Sequence, residues 1–209
     1  MYAKWIKRFL DIILSLFMLP FVLLVVIIIS PCIWLCDRGP VFYISKRRGK
    51  HGRIYNMYKF RSMYVNAPDL RNDDNSTYNS KDDPRVTKIG KFLRETSIDE
   101  LPQVLNVLKG DMSWVGPRPS IPIPGVTWDD LNEKQKLRLT VRPGITGYNQ
   151  AYFRNSISRD QKLENDCYYA RNVSFLLDLK IVIRTIAAVL RRKNIYIDDT
   201  RVNRNNAIH

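Results

Sequence analysis

From Ile12 to Leu35 the chain carries no charge, and nearly every residue is apolar. At about 1.5 Å of rise per residue, a helix of that length matches a hydrocarbon core of roughly 30 Å. A run this apolar on every side exceeds what so small a domain usually encloses, which disfavours a buried core helix. Lys4, Lys7 and Arg8 in front of it resemble the start of a secretory signal. The run is longer than a signal core, however, and no small-x-small cleavage site follows, so it is expected to be retained. Pro20 and Pro31 interrupt it, and each removes a helix hydrogen bond and favours a kink. Basic residues flank both ends, with Arg38, Lys46, Arg47, Arg48, Lys50 and Arg53 on the far side. The positive-inside tendency would hold both flanks in the cytoplasm. A helix that enters the bilayer, breaks at Pro20 or Pro31 and returns satisfies that tendency. An ordinary spanning anchor is the alternative.

The remaining composition narrows the chemistry. There are 34 Lys and Arg against 20 Asp and Glu, a formal charge of +14 that calls for a negatively charged partner. Without zinc-finger spacing or a clear RNA-binding signature, nucleic acid is the less favoured partner, and membrane lipid or a phosphorylated substrate is preferred. Cys32, Cys36 and Cys167 cannot form a closed disulfide framework, which suits a reducing compartment. His51 and His209 are the only histidines, so a serine–histidine triad or histidine-rich metal site is disfavoured. No Walker-type loop supports a nucleotide hydrolase.

After the apolar run, Gly39–Met63 reads as two strands around a basic turn at Gly49–Gly52, with Lys59 and Arg61 on the second strand's end. Pro68–Pro84 is polar and reads as a loop. Ile89–Arg94 predicts a short amphipathic helix, and a second begins after Thr96. Its Leu101, Val104, Leu105 and Leu108 share one face, and Gly110 suits its stop. Pro102 is tolerable only in a first turn, which puts Asp99 and Glu100 at a helix start. Ser97 with Glu100 also matches a capping box, so these acids could serve the helix alone. Gly116–Gly125 is too proline-rich for helix and reads as extended. Trp128–Leu139 reads as a polar helix, and Val141–Gln150 as a glycine-bearing turn able to offer N–H groups to phosphate. Val173–Leu190 predicts an apolar helix ending in Arg191, Arg192 and Lys193, in the core or in a membrane interface. Asp178 within it needs a partner or a job.

An adjacent acid pair among arginines suits chemistry on a pyrophosphate. A carboxylate attacking phosphorus needs the phosphate oxygens neutralised, by a divalent cation and by Lys59, Arg61, Arg94, Arg118 or Arg142. Magnesium (Mg2+), which takes oxygen ligands beside substrate phosphates, fits. Asp99 could attack to form an acyl phosphate while Glu100 binds metal or handles a proton.

The runs "GPVFY", "YKFRSM", "TKIGKFLRETSIDELPQVLNVLKGDMSWVGPRP", "VRPGITGYNQ" and "SFLLDLK" resemble the bacterial sugar transferases, the small monotopic phosphoglycosyl transferases. The resemblance runs from about Lys4 to Leu190. It implies transfer of a sugar 1-phosphate from a UDP-sugar to undecaprenyl phosphate, with release of UMP. It also implies a reentrant membrane helix, magnesium dependence, and a ping-pong route through a covalent phosphosugar on Asp99, with Glu100 as the second member of the dyad. Arg118, Arg94 and Lys59 match positions that contact phosphate or uridine, and Asp178 matches an acid near the metal. The family usually breaks its membrane helix at a Ser-Pro pair; here Leu19-Pro20 and Ser30-Pro31 flank the expected point, leaving a two-break path open.

The expected protein is thus a mainly helical α+β enzyme in three parts. A reentrant segment with basic flanks covers 1–38, a catalytic domain with interfacial helices and a small β-hairpin covers 39–193, and a polar tail covers 194–209. Its place is the bacterial inner membrane with the domain on the cytoplasmic face, and its product would prime a surface glycan. Homo-oligomerisation is left open. The competing reading is a non-enzymatic basic adaptor on anionic lipid or nucleic acid; a nearer rival keeps the transferase but moves the phosphosugar in one concerted step.

Overall fold

The structure is a computed structural model that describes residues 1–70, 78, 80, 82–153 and 156–190. The loop expected over 68–84 falls partly outside these residues, and the basic helix end 191–193 and the tail 194–209 fall wholly outside them. A short π-helical turn, Tyr2–Ile6, leads into α1, Lys7–Asp37. Helix α1 includes both Pro20 and Pro31, and its helical span continues past each of them. In apolar surroundings, unwinding would bare more backbone groups than the single bond each proline forfeits. Asp11, Ser15, Val22, Ile29 and Ile33 form one buried stripe along α1. The other faces stay open, with Phe17 79% and Ile27 70% exposed.

Both ends of α1 are bonded to the same packed body. At the start, Lys7 Nζ lies 2.7 Å from Asp178, and the Arg8 guanidinium donates to the Val107 and Leu108 carbonyls. The Asp11 carboxylate accepts from Ser113 Oγ and the Trp114 amide, and Trp114 Nε1 donates to Ser15 Oγ. At the finish, Arg61 grips Asp37 with both terminal nitrogens, at 2.8 and 2.5 Å.

Strands β1 (Phe42–Arg48) and β2 (Ile54–Phe60) form the expected antiparallel hairpin around the basic turn. Its register sets Tyr43, Ser45 and Arg47 opposite Lys59, Met57 and Tyr55, so all six share one face. Phe60, on the other face, packs with Ile29 and Ile33 of α1 and with Leu93. Helix α2 (Lys88–Thr96) starts where the Thr87 side chain accepts from the Gly90 amide. A Cβ at Gly90 would stand 1.9 Å from the Ser62 carbonyl oxygen, so only glycine lets α2 lie this close to the strand exit.

The segment after α2 departs from the expected single helix. It is a 3-10 turn, Ile98–Gln103, followed by α3, Val104–Lys109, which stops at Gly110 with φ of 90° as anticipated. A 3-10 turn winds three residues per turn, so it rotates the residues downstream of it relative to a continuous α-helix. Leu105 is therefore exposed, while Pro102, Gln103, Val104, Asn106 and Val107 are buried. Strands β3 (Ser113–Val115) and β4 (Gly144–Thr146) form a short parallel pair. The Gly116–Gly125 segment carries no helix, as expected. Helices α4 (Glu133–Arg138), α5 (Tyr148–Tyr152), α6 (Arg159–Arg171) and α7 (Phe175–Leu190) complete a mainly helical fold with two small sheets. Only the second half of the predicted Trp128–Leu139 helix forms, beginning at a capping box on Asn132.

Asn106, fully buried, fixes the hairpin to α3. Its Oδ1 accepts from the Tyr58 amide and its Nδ2 donates to the Asn56 carbonyl, filling the outer rim of β2. Its own carbonyl accepts from the amides of Gly110, Asp111 and Met112. Asn106→Leu would strand both strand groups without water, at a cost of about 2–4 kcal/mol. Denaturant unfolding in detergent should show that loss, whereas exposed Leu105→Ala should cost much less.

Candidate active site

Three chain segments converge at the acid pair. Ser97, in the left-handed region at φ 59°, ends α2 and turns the chain into the 3-10 segment that carries Asp99 and Glu100. Its side chain makes no cap bond, so the expected Ser97–Glu100 capping box does not form. Lys59 comes from the end of β2, and Arg118 from the proline-bracketed turn after β3. Backbone packing fixes that turn: a Cβ on Gly144 would lie 2.1 Å from the Gly116 nitrogen.

Lys59 Nζ lies 2.7 Å from Glu100 Oε1 and 3.9 Å from Asp99 Oδ2. Arg118 reaches the same Glu100 oxygen at 3.1 Å. Asp99 accepts no hydrogen bond among the described residues. The two carboxyls are consequently pushed apart in acidity. Burial raises Asp99, to about 6, with neighbouring Glu100 adding to the effect against Lys59, Arg118 and Arg94. Burial also works against ionised Glu100, but Lys59 and Arg118 outweigh it and pull Glu100 down to about 2. Glu100 is thus the anchored anion, and Asp99 the less committed one.

Arg94, in the last turn of α2, donates through Nε to Ser62 Oγ at 2.9 Å and adds positive potential at Asp99. A small polar cavity of about 30 Å³ opens beside the pair, lined by Arg47, Met57, Lys59, Glu100, Gln103, Arg118, Pro119 and Gly144. Sequence reasoning does not single out Arg47, Gln103 or Met57. The alternation of the hairpin, which puts Arg47 on the Lys59 face, is the signal that could have found the first.

Two expected site residues are placed elsewhere. Arg142 Nε donates to the Gly110 carbonyl at 2.9 Å, at the foot of α3, and the residue does not line the cavity. Asp178 was expected near a metal. Instead its Oδ2 accepts from Tyr2 and Lys7, at 2.6 and 2.7 Å, and its Oδ1 accepts from Tyr169 at 2.7 Å. The job its sequence context demanded is to hold α7 against the entry to α1.

A supporting chain runs behind Arg118. Arg138 donates to the Arg118 carbonyl at 2.7 Å and pairs with buried Asp166 at 2.8 Å. Asp166 in turn accepts from Asn149. Burial raises the Asp166 carboxyl to about 6 despite Arg138.

The chain belongs to the bacterial sugar transferases: the family model of that description matches residues 2–192. It is similar to the galactosyl transferase CpsE of Streptococcus agalactiae, 44% identical over 193 residues, or 88% of this chain and 42% of that protein. It is similar also to the uncharacterised sugar transferase EpsL of Bacillus subtilis, 42% identical, covering 88% of this chain and 87% of that one. A third relative is the UDP-glucose:undecaprenyl-phosphate glucose-1-phosphate transferase of Klebsiella pneumoniae, 40% identical, covering 91% and 41%. The chain thus spans about two fifths of the length of the first and third of these curated relatives.

The raised Asp99 makes a prediction about stability. A carboxyl near 6 in the folded protein and near 4 when unfolded contributes stability below about pH 4, and that contribution is lost as pH rises through 6. Without divalent cations, Asp99→Asn should stabilise the protein at pH 8 by on the order of 2 kcal/mol, and not at pH 4. Thermal unfolding in EDTA at the two pH values measures the difference. An equal effect at both would contradict the burial of a charged Asp99.

Proposed function

We propose that this protein transfers a sugar 1-phosphate from a UDP-sugar to undecaprenyl phosphate, releasing UMP and priming a surface glycan. Its family, and the donor and acceptor in the name of the Klebsiella relative, support that choice of reaction. The observation that carries it is the unequal pair: Glu100 pinned by two cations beside an Asp99 that accepts no hydrogen bond among the described residues. An attacking carboxylate needs that freedom.

In this reading a carboxylate oxygen of Asp99 attacks the phosphorus bearing the sugar. As that bond forms, the bond from phosphorus to the bridging oxygen breaks, and its electron pair leaves with UMP. Lys59, Arg118 and Arg94 offset the phosphate charge that would repel the attacking anion. An oxygen of undecaprenyl phosphate then attacks the same phosphorus, which restores the Asp99 carboxylate and yields undecaprenyl diphosphate sugar. Glu100 keeps Lys59 and Arg118 in place throughout.

Magnesium fits this donor set in part. Asp99 and the second oxygen of Glu100 are hard oxygen donors able to hold it, while Asp178 is bonded to Tyr2, Lys7 and Tyr169. Among the described residues no three Asp, Glu, His or Cys side chains gather, so substrate phosphates would have to complete its shell. When bound, it would neutralise phosphate oxygens as charge moves to the leaving group.

The reading places α1 in the bacterial inner membrane as a reentrant helix with the domain on the cytoplasmic face. The apolar, largely exposed faces of α1 support immersion in lipid. Its bonds to one body at both ends support entry and return from a single side: Lys7, Arg8 and Asp11 at the start, Asp37 at the finish. A straight crossing would carry one of those ends through the hydrocarbon.

UMP release from a panel of UDP-sugars, with magnesium and undecaprenyl phosphate, tests the proposal. The wild-type protein should release UMP from at least one donor, and Asp99→Ala should lower the rate by on the order of 10⁴-fold. With donor alone, a burst of about one UMP per protein, with label left on Asp99, separates the two-step route from concerted transfer. Undiminished turnover by Asp99→Ala would remove Asp99 as nucleophile.

A further inference from the structure

Arg47 has no counter-ion among the described residues. Its Nε donates weakly to Ser45 Oγ at 3.3 Å, and its terminal nitrogens meet no acceptor among those residues. Burial depresses its guanidinium, and the nearby charge of Arg118 depresses it further. The other two cations of the cavity, Lys59 and Arg118, are both held by Glu100. The cavity lining therefore gathers three cations around one carboxylate, and the unmatched charge sits on Arg47.

Tyr55 stands directly across the strand pair from Arg47, on the same face. It is only 7% exposed, and its hydroxyl is buried with no hydrogen-bond partner among the described residues. That hydroxyl feels the charges of both Arg47 and Arg118. A buried hydroxyl without a partner, and a desolvated guanidinium within electrostatic reach of a second, exposed one, are each unfavourable for folding alone. Both become favourable when an anion with several acceptor oxygens lies between them.

We propose that Arg47, Tyr55 and Arg118 form a second phosphate subsite, distinct from the Asp99 attack point, which binds the phosphate that is not attacked. It rests on the transferase reading above and extends it. Arg118 serves both places, one amino group on Glu100 and the rest of its fork toward the subsite. Arg47 supplies a charge-assisted contact from the hairpin wall, and the Tyr55 hydroxyl donates a neutral one. The phosphate in question carries the nucleoside in the first half-reaction; the phosphate of the lipid is the other source of the same chemistry.

The test uses the full-length protein in detergent or nanodiscs with Arg47→Gln, Arg47→Lys and Tyr55→Phe. UMP binding is measured by calorimetry, and KM is measured separately for the UDP-sugar and for undecaprenyl phosphate. Losing one charge-assisted contact should weaken UMP binding by about ten- to a hundredfold in Arg47→Gln, with partial rescue by lysine. The KM for UDP-sugar should rise in step, while the KM for lipid and the melting temperature stay close to wild type. Tyr55→Phe should weaken UMP binding severalfold without destabilising the protein, because the hydroxyl it removes has no partner among the described residues. A rise confined to the lipid KM would overturn the assignment to the nucleotide phosphate. Unchanged UMP binding in Arg47→Gln, in a wild-type background that turns over, would overturn the subsite and leave the transferase reading standing. No turnover by wild type with any donor, while UMP still binds through Arg47, would overturn the transferase reading and keep the subsite.

Discussion

One oxygen of Glu100 holds the site together. It is the meeting point of a strand end, through Lys59, and a proline-bracketed turn, through Arg118, and the backbone that bears it also bears Asp99. Two opposite charges at contact distance in a half-buried place bind strongly enough to fix geometry. The same pairing consumes the local positive potential that would otherwise settle Asp99. One carboxylate is therefore held as an anion and its neighbour is left without a hydrogen bond among the described residues, and adjacency in sequence is what forces the division.

The rest of the molecule carries that arrangement to an apolar helix. Asp178 and Asp37 act as two fasteners, one at each end of α1, and each accepts from several donors. Between them the buried stripe from Asp11 to Ile33 packs against elements that lead straight into the site. Ile29 and Ile33 touch Phe60, one residue from Lys59, and Asp11 holds Ser113 and Trp114, which open the strand that leads to Arg118. Displacing the helix would shift both cations that hold Glu100.

Much of this is legible in the sequence. The hairpin, α2, the stop at Gly110 and the choice of Asp99, Glu100, Lys59 and Arg118 as candidates, which the fold brings together, come from alternation, caps and residue chemistry. The losses have specific causes. Pro102 is confined to a first turn, but whether that turn is α or 3-10 depends on packing, so helical spacing alone assigns α3 the wrong inward face. Arg142 and Asp178 have the residue types of a phosphate or metal site, and only tertiary partners reveal that Gly110, Tyr2, Lys7 and Tyr169 occupy them. Helix α6 escapes a reading by periodicity because its apolar residues do not recur with a helical period. Its capping box at Ser158 and Gln161 is the available sign. Arg47 is hidden in a run of basic residues that reads as a solvated turn, and singling it out requires the pairing register.

The side chain of Asn106 has a consequence for how copies of this protein meet. A two-stranded sheet normally offers a free rim along which another chain can add a strand, and such rims seed aggregation. Here the Asn56 carbonyl and the Tyr58 amide, the groups a recruited strand would need, are already answered by one amide side chain from within the fold. Growth of the sheet is blocked at that rim, so contact between copies through this face has to be made by side chains, not by a shared backbone ladder.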